Sequence, residues 1–459
     1  MAATRKELEY ALNNFNEVHH TTLDPEGPGV VRIHLVPPVV KDGDVGPSAA
    51  IINGQDIIPV NTSWSILLTE FIKEVNKHSG APITQVEADS IVENTCRSVR
   101  SVYPFISRKR LSNDIFTIMD TFRRIARGQV PDGEIEYISL GEYAPLMRAP
   151  HRMDLLVSSM TSGGKWHCNQ KCVHCYASGQ PMAQEEELST EEWKEVLDRC
   201  RSAGIPQVTF TGGEPTMRDD LPELISYAGW FITRLNTNGL KLTEEYCQAL
   251  REASLDSVQI TFYSDKSEIH DSLVGVSGYD STVSGMENAL RCGLSLSVNT
   301  PLCTLNRDYL STLRFLHDKG VVYVTCSGLI TTGNAAGGES AKLRLSEEEI
   351  SGILSQAAEY CFANDMEISF TSPGWVSEEF CRSIGLTPPV CGACLSNMAV
   401  TPGGSVVPCQ SWLSGEPLGN ILTDSWDRIW NGQACRERRE LSSHMDGLCP
   451  LRTHTGEPD

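Results

Sequence analysis

Positive charge is what this 459-residue chain has least of: 38 Lys and Arg stand against 59 Asp and Glu, a formal net charge of -21. Nucleic-acid binders and anionic-membrane binders draw affinity from clustered Lys and Arg, so no nucleic-acid or membrane partner is expected. Nor does any stretch approach the eighteen or so uninterrupted apolar residues of a membrane span. The opening MAATRKELEYALNNF is charged and helix-like rather than a basic stub followed by an apolar run. No secretory leader is read there, and the cytosol is the expected compartment. Internal repeats and long low-complexity tracts are missing too. With 40% hydrophobic and 21% charged residues, the chain reads as an ordinary globular protein long enough for two or three domains.

Cysteine, by contrast, is plentiful, at sixteen residues. In a reducing cytosol these form few disulfides, so close-spaced groups read as metal or redox sites. From about Met153 to Ser372 short β-rich runs (MDLLVSSM, QVTFTG, ITRLNTN, SVQITFY, LSLSVNT, VVYVTCSG) alternate with amphipathic helical stretches. One of these, STEEWKEVLDRCRSAG, opens on a capping-box pattern formed by Ser189 and Glu192. Six βα units predict an α/β fold, a partial barrel two units short of closure, with its site at the C-terminal strand ends. The expected divisions are an N-terminal small α+β domain (1–145), the partial barrel (150–345), a connecting helix and strand (346–375), and a cysteine-rich C-terminal module (376–459). That last module is turn-rich and is expected to be loop-dominated and pinned by metal.

Cys168, Cys172 and Cys175 place three thiolates within eight residues of the loop after the first strand. Soft ligands suit iron-sulfur or zinc chemistry, and three is one fewer than a closed tetrahedral site needs. A zinc site completed by His167 or His174 stays open on spacing alone. TGGEP, residues 211 to 215, follows the second strand and would face the same mouth.

CNQKCVHCY followed by TGGEP resembles the radical SAM superfamily, a likeness covering most of residues 153 to 330. It implies a partial (βα)6 TIM-like barrel and a [4Fe-4S] cluster on Cys168, Cys172 and Cys175, with the fourth iron left to chelate S-adenosylmethionine. It also implies reductive cleavage of that cofactor to a 5′-deoxyadenosyl radical, which abstracts hydrogen from a substrate. By the same resemblance Tyr176 lies beside the adenine, and Gly212, Gly213 and Glu214 receive the ammonium. Asn236, Thr261 and Asn299, at later strand ends, line the same pocket. Tyr263 stands where family members often have Asp. Tyr263, His270 and Glu339 could face the mouth, but none is assigned a catalytic role. A reductase, flavodoxin or ferredoxin is the implied electron donor.

CGACLSNMAVTPGGSVVPC, with LGNILTDSWDRIWN after it, resembles the SPASM module that carries auxiliary [4Fe-4S] clusters. The Cys-x2-Cys-x5-Cys-x3-Cys run of full modules is absent, so the tail resembles the shorter twitch variant with one auxiliary cluster. Its implied ligands are Cys391, Cys394 and Cys409 with Cys449 as fourth; Cys435, Cys381 or an open position are the alternatives. A zinc ribbon is the competing reading of the same residues. Cys96, Cys200, Cys247, Cys292, Cys303, Cys326 and Cys361 read as small buried hydrophobes. Such modules accompany enzymes that modify peptides, and AAIINGQDIIPVNTSWSILLTEFIKEV is faintly similar to leader-peptide-binding domains, which add an extended peptide to a sheet edge. A peptide substrate is therefore the first expectation and a small molecule, such as a sugar or cofactor precursor, the second. A non-catalytic electron carrier or a zinc-stabilised interaction protein is the remote alternative.

Overall fold

The computed structural model describes residues 3–23, 31–41, 43–52, 56–78, 83–126, 144–444, 449 and 451. They belong to two compact units, Met1–Ala149 and Pro150–Asp459. No helix among the described residues is long and apolar enough to cross a membrane.

The first unit opens with helix α1 (Arg5–Asn14), closed at its start by a Thr4/Glu7 capping box. Four strands follow, β1 (His19–Leu23), β2 (Val31–Val36), β3 (Ser48–Ile52) and β4 (Asp56–Val60), paired antiparallel in chain order. Strands β1 and β4 are its edges. Helices α2 (Thr62–Asn76), α3 (Gln85–Val102) and α4 (Arg108–Ala126) complete the unit. Ile33, Leu35, Ile52, Leu68, Ile72 and Phe122 are fully buried in one core. These are the alternating strand positions and the i, i+4 helix positions that period 2 and period 3.6 assign to one face.

The second unit is built on one sheet. Seven strands, β5 (Arg152–Ser158), β6 (Gln207–Gly212), β7 (Ile232–Thr237), β8 (Ser257–Thr261), β9 (Ser295–Pro301), β10 (Tyr323–Ser327) and β11 (Glu367–Phe370), run parallel in sequence order. Helices α5 (Thr190–Ala203), α6 (Leu221–Tyr227), α7 (Glu244–Glu252), α8 (Ser267–Val274), α9 (Tyr279–Arg291), α10 (Tyr309–Asp318) and α11 (Glu347–Ala363) make the crossovers. The capping box read at Ser189 and Glu192 starts α5.

Two features differ from the sequence expectation. The EISF segment, read as part of a connector, is the seventh parallel strand, because Ile368 and Phe370 bury alternate side chains while register pairs it with β10. The C-terminal module is also less loop-like than expected. Its strands β12 (Asn397–Val400), β13 (Ser405–Val407) and β14 (Gly419–Asn420) extend the sheet beyond β5, β12 lying parallel to it. The ten-stranded sheet ends on β11 and β14 and stays open. Six of the seven cysteines read as core are buried, whereas Cys292 keeps partial exposure.

Candidate iron-sulfur and S-adenosylmethionine site

The loop after β5 carries Cys168, Cys172 and Cys175, each keeping some exposure. Backbone bonds fix it in place: Lys171 N donates to Val274 O at 2.9 Å and Val173 N to Leu273 O at 3.0 Å, tying it to the end of α8. Asn334 closes the other side, its backbone N donating to Cys175 O at 2.9 Å and its Nδ2 to Cys172 O at 3.2 Å. Burial pushes the Cys168 thiol up to about 12, with Glu214 and Cys175 nearby adding to the effect. Cys172 and Cys175 are raised for the same reason. Three thiols crowded into a dry loop resist ionising without a cation among them, and the irons of a cluster are the charge that would draw out the thiolates.

Zinc fits less well. His174, weighed as its fourth ligand, has Nε2 3.0 Å from the Tyr263 hydroxyl and stacks edge-on against that ring. His167 Nε2 lies 4.0 Å from a Glu187 oxygen. Among the described residues no three His, Cys, Asp or Glu side chains converge on a single metal ion. A cubane cluster, which spreads its thiolates over several irons, asks for a wider set.

Gly212 and Gly213 end β6 flush against β5. Gly213 N donates to Ser158 O at 2.7 Å. Gly212 has φ +130°, and a Cβ there would stand 2.3 Å from Ser158 O; one on Gly213 would stand 2.7 Å from Ser159 O. Only glycine allows this approach, which leaves Gly213 O to accept from Cys168 Sγ at 3.5 Å.

Glu214 is 1% exposed. One of its oxygens accepts from Thr216 N (3.1 Å), Thr216 Oγ1 (2.7 Å) and Thr237 Oγ1 (2.6 Å), and the other from Asn238 N (2.8 Å). Burial raises its pKa against the pull of these four donors. The carboxylate thus clamps the end of β6 to the end of β7. The motif alone did not reveal these partners, because they lie on separate segments.

Tyr176 packs with Trp166, Cys168 and Cys175 on an apolar cluster that includes Met160, Met182, Val407 and Leu413. It therefore stands between the first cysteine loop and the C-terminal strands. Asn236, Thr261 and Asn299 keep partial exposure on β7, β8 and β9. Register sets Thr261 beside Asn299, whose Oδ1 accepts from Thr325 Oγ1 at 2.9 Å. Tyr263 and His270 are buried, the Tyr263 backbone N donating to His270 Nδ1 at 3.4 Å. Glu339 lies in the Gly338–Leu343 turn, its side chain outside the described residues.

In the C-terminal module, Cys391 and Cys394 sit buried before β12, Cys394 at φ +56°. Cys409 follows β13, where burial pushes its thiol up to about 12, with Cys391, Cys449 and Asp154 contributing. Helix α12 (Gln433–His444) lays one face on the Cys391–Cys394 loop. Cys435 shares a hydrogen bond with Cys394, which lowers its own pKa and raises that of Cys394. Arg439 Nη1 lies 3.6 Å from Cys435 Sγ, and Ser442 Oγ donates to Ala393 O at 2.8 Å and lies 3.8 Å from Cys391 Sγ. Positions 435, 439 and 442 are one helical stripe. Cys394 is thus close enough to feel Cys435 and Cys409, and Cys409 to feel Cys391 and Cys449. Cys381 is buried in the separate short helix Glu378–Ser383, among that helix's own charges. Cys409→Ala should cost about four irons per chain. Either Cys435→Ala or Cys449→Ala should match that loss in iron and sulfide assays, and the one that does marks the fourth ligand.

An open parallel barrel with a three-cysteine loop and a second cysteine group defines a cluster-bearing, cofactor-cleaving class of protein. Residues 167–316 match the radical SAM superfamily and residues 391–451 match the SPASM iron-sulfur cluster-binding domain. The chain thus contains a radical SAM domain followed by a SPASM-type iron-sulfur domain. Domains of these two kinds hold [4Fe-4S] clusters and S-adenosylmethionine. The chain is 40% identical over 139 residues to the Fe-coproporphyrin III synthase of Methanosarcina barkeri, a match covering 29% of this chain and 35% of that protein. It thus spans about a third of that relative's length. It is 27% identical over 300 residues to the AdoMet-dependent heme synthase of Oleidesulfovibrio alaskensis, covering 61% of this chain and 76% of that one. Among solved structures, SuiB of Streptococcus suis bound to precursor peptide SuiA aligns with TM-score 0.60 at 11% identity, covering 88% of this chain and 92% of SuiB. Native anSMEcpe with bound AdoMet aligns with TM-score 0.51 at 16% identity, covering 63% and 83%.

Proposed function

We propose that this enzyme reductively cleaves S-adenosylmethionine and abstracts hydrogen from a peptide substrate. The observation that carries the chemistry is the cysteine loop facing the Gly212–Glu214 turn across the ends of β5 and β6. Cys168, Cys172 and Cys175 would bind three irons, and the cofactor would take the fourth. Gly212 and Gly213 would offer backbone to its ammonium, Tyr176 would lie near its adenine, and Asn236, Thr261 and Asn299 would line the rest of its pocket. When bound, the cluster and cofactor together supply a 5′-deoxyadenosyl radical. Glu214 then acts as a brace rather than as an exposed contact, and the apolar cluster around Met160 and Leu413 keeps water from the first loop. Cys391, Cys394 and Cys409, with Cys435 or Cys449, would hold one auxiliary cluster. A flavodoxin, ferredoxin or reductase would deliver the electron.

The peptide reading rests on the first unit. A match covering 88% of the chain cannot be reached without much of Met1–Ala149. That unit offers two sheet edges, β1 and β4, of the kind that accept an added strand. The second reading, a tetrapyrrole-like cofactor precursor, is favoured by the three quarters of the heme synthase that this chain spans. The test incubates reconstituted protein anaerobically with S-adenosylmethionine and dithionite, then adds short peptides encoded beside its gene. The expected results are 5′-deoxyadenosine and peptide binding. Iron-replete protein that yields no 5′-deoxyadenosine sinks the activity; turnover of a porphyrin with no peptide bound sinks the peptide reading.

A further inference from the structure

In a parallel sheet alternate residues face opposite sides. Val208, Phe210, Leu235, Val258, Ile260, Val298 and Val324 occupy one parity and are buried in the apolar core. The other parity, the barrel's inner face, is polar: Arg152 and Asp154 on β5, Gln207 and Thr209 on β6, Arg234 and Asn236 on β7, Ser257 and Gln259 on β8. Register sets Asp154, Thr209, Arg234 and Ser257 side by side in one layer.

Asp154, 1% exposed, is held by Arg152, whose Nε lies 2.9 Å from Oδ1. Arg234 has no such partner: among the described residues nothing accepts a hydrogen bond from its guanidinium or pairs with it in a salt bridge. Burial, with Arg152 adding to it and Asp154 partly opposing it, draws its pKa down to about 10. It nonetheless keeps partial exposure on a strand flanked by β6 and β8. Two further polar atoms of the same face, Gln207 Nε2 and Thr209 Oγ1, are buried without a partner, in residues 3% exposed. A guanidinium with five donors and no acceptor is costly inside a protein, and orphaned polar atoms beside it compound the cost. An anion offering two oxygens would satisfy the group.

We propose that the inner face of the barrel is a carboxylate-binding pocket in which Arg234 anchors the substrate, with Thr209 and Gln207 as supporting donors. Arg234 lies three residues before the end of β7, about 10 Å below the mouth. A carboxylate held there leaves the rest of the substrate extending toward the cysteine loop. The group is a carboxylate on a peptide side chain or on a small acid, and both present the same two oxygens. The inference rests on the radical SAM reading only for the identity of the occupant as substrate.

The test uses reconstituted full-length protein with propionate and N-acetyl-glutamate amide as probes, and propionamide and N-acetyl-glutamine amide as controls, by ligand-observed NMR and thermal shift. Both carboxylates should bind and raise the melting temperature, and both amides should fail. A preference for the glutamate derivative marks a peptide source, and a preference for propionate a small acid. Arg234→Gln should weaken binding by about tenfold or more, and Arg234→Lys should restore part of it. Arg234→Gln should also be at least as stable as the parent, since it removes a buried charge that lacks a partner. Equal binding to Arg234→Gln, equal binding of the amides, or displacement of propionate by S-adenosylmethionine would overturn the proposal. Formation of 5′-deoxyadenosine by the unsubstituted protein reports separately on the radical SAM reading.

Discussion

Cys172→Ala will abolish formation of 5′-deoxyadenosine and lower the iron content by about four per chain. The thiol stands between two environments: its Sγ lies 3.5 Å from Gln170 Oε1, and it packs with Tyr263, Leu273 and Cys303. A hydrogen bond from a sulfur at that distance is weak, so its loss does little to the fold, and trimming one sulfur costs on the order of 1 kcal/mol. The loop itself is held by backbone bonds to Leu273, Val274 and Asn334, none of which uses the side chain. Removing the thiol therefore removes a ligand and little else, and with two cysteines left the cluster has no stable seat. Cys326→Ala is the matched control. It sits on β10, fully buried, and should cost stability while keeping all of the iron. Unchanged iron in Cys172→Ala, or equal iron loss in both variants, would remove the first cluster from this loop.

The cysteine loop and the glycine turn were legible in the sequence because each is local: three thiols in eight residues, two glycines and an acid at a strand end. The parallel strands were legible for a similar reason, since each alternates or runs apolar between helical stretches. What escaped was whatever depends on segments meeting. For Glu214 the resemblance implies an ammonium contact but not the bonds by which Thr216, Thr237 and Asn238 reach both of its oxygens. EISF reads as the strand of a connector, and only its pairing with β10 makes it a member of the parallel sheet. The sequence offers Cys435 only as an alternative ligand, and the docking of its helix is what brings it to Cys394. Arg234 is the sharpest case. In ITRLNTN it looks like the solvent side of a half-buried strand, yet the polar side here is the inner face of a barrel.

Gly212→Ala is expected to be strongly damaging while leaving every cysteine in place. Two costs act together. The residue stands at φ +130°, where an L side chain pays on the order of 2 kcal/mol in backbone strain. The new Cβ would also meet Ser158 O at 2.3 Å and Ser158 N at 2.9 Å, which are backbone atoms of β5 that cannot rotate away. Overpacking of this kind adds roughly 2 kcal/mol more, so a total near 4 kcal/mol is expected. The strand ends can relieve the clash only by separating. That breaks the bond from Gly213 N to Ser158 O and moves Gly213 O away from Cys168. Thermal unfolding should shift down by several degrees, and S-adenosylmethionine affinity should fall while the three thiols can still take up iron. Gly163→Ala is the comparison: it has φ +55° but nothing within 4 Å of its Cβ, so it carries the strain without the clash. If the two variants lose equal stability and cofactor affinity, the close approach of β6 to β5 is not what the glycine serves; a deficit confined to Gly212→Ala ties the cofactor's seat to that contact.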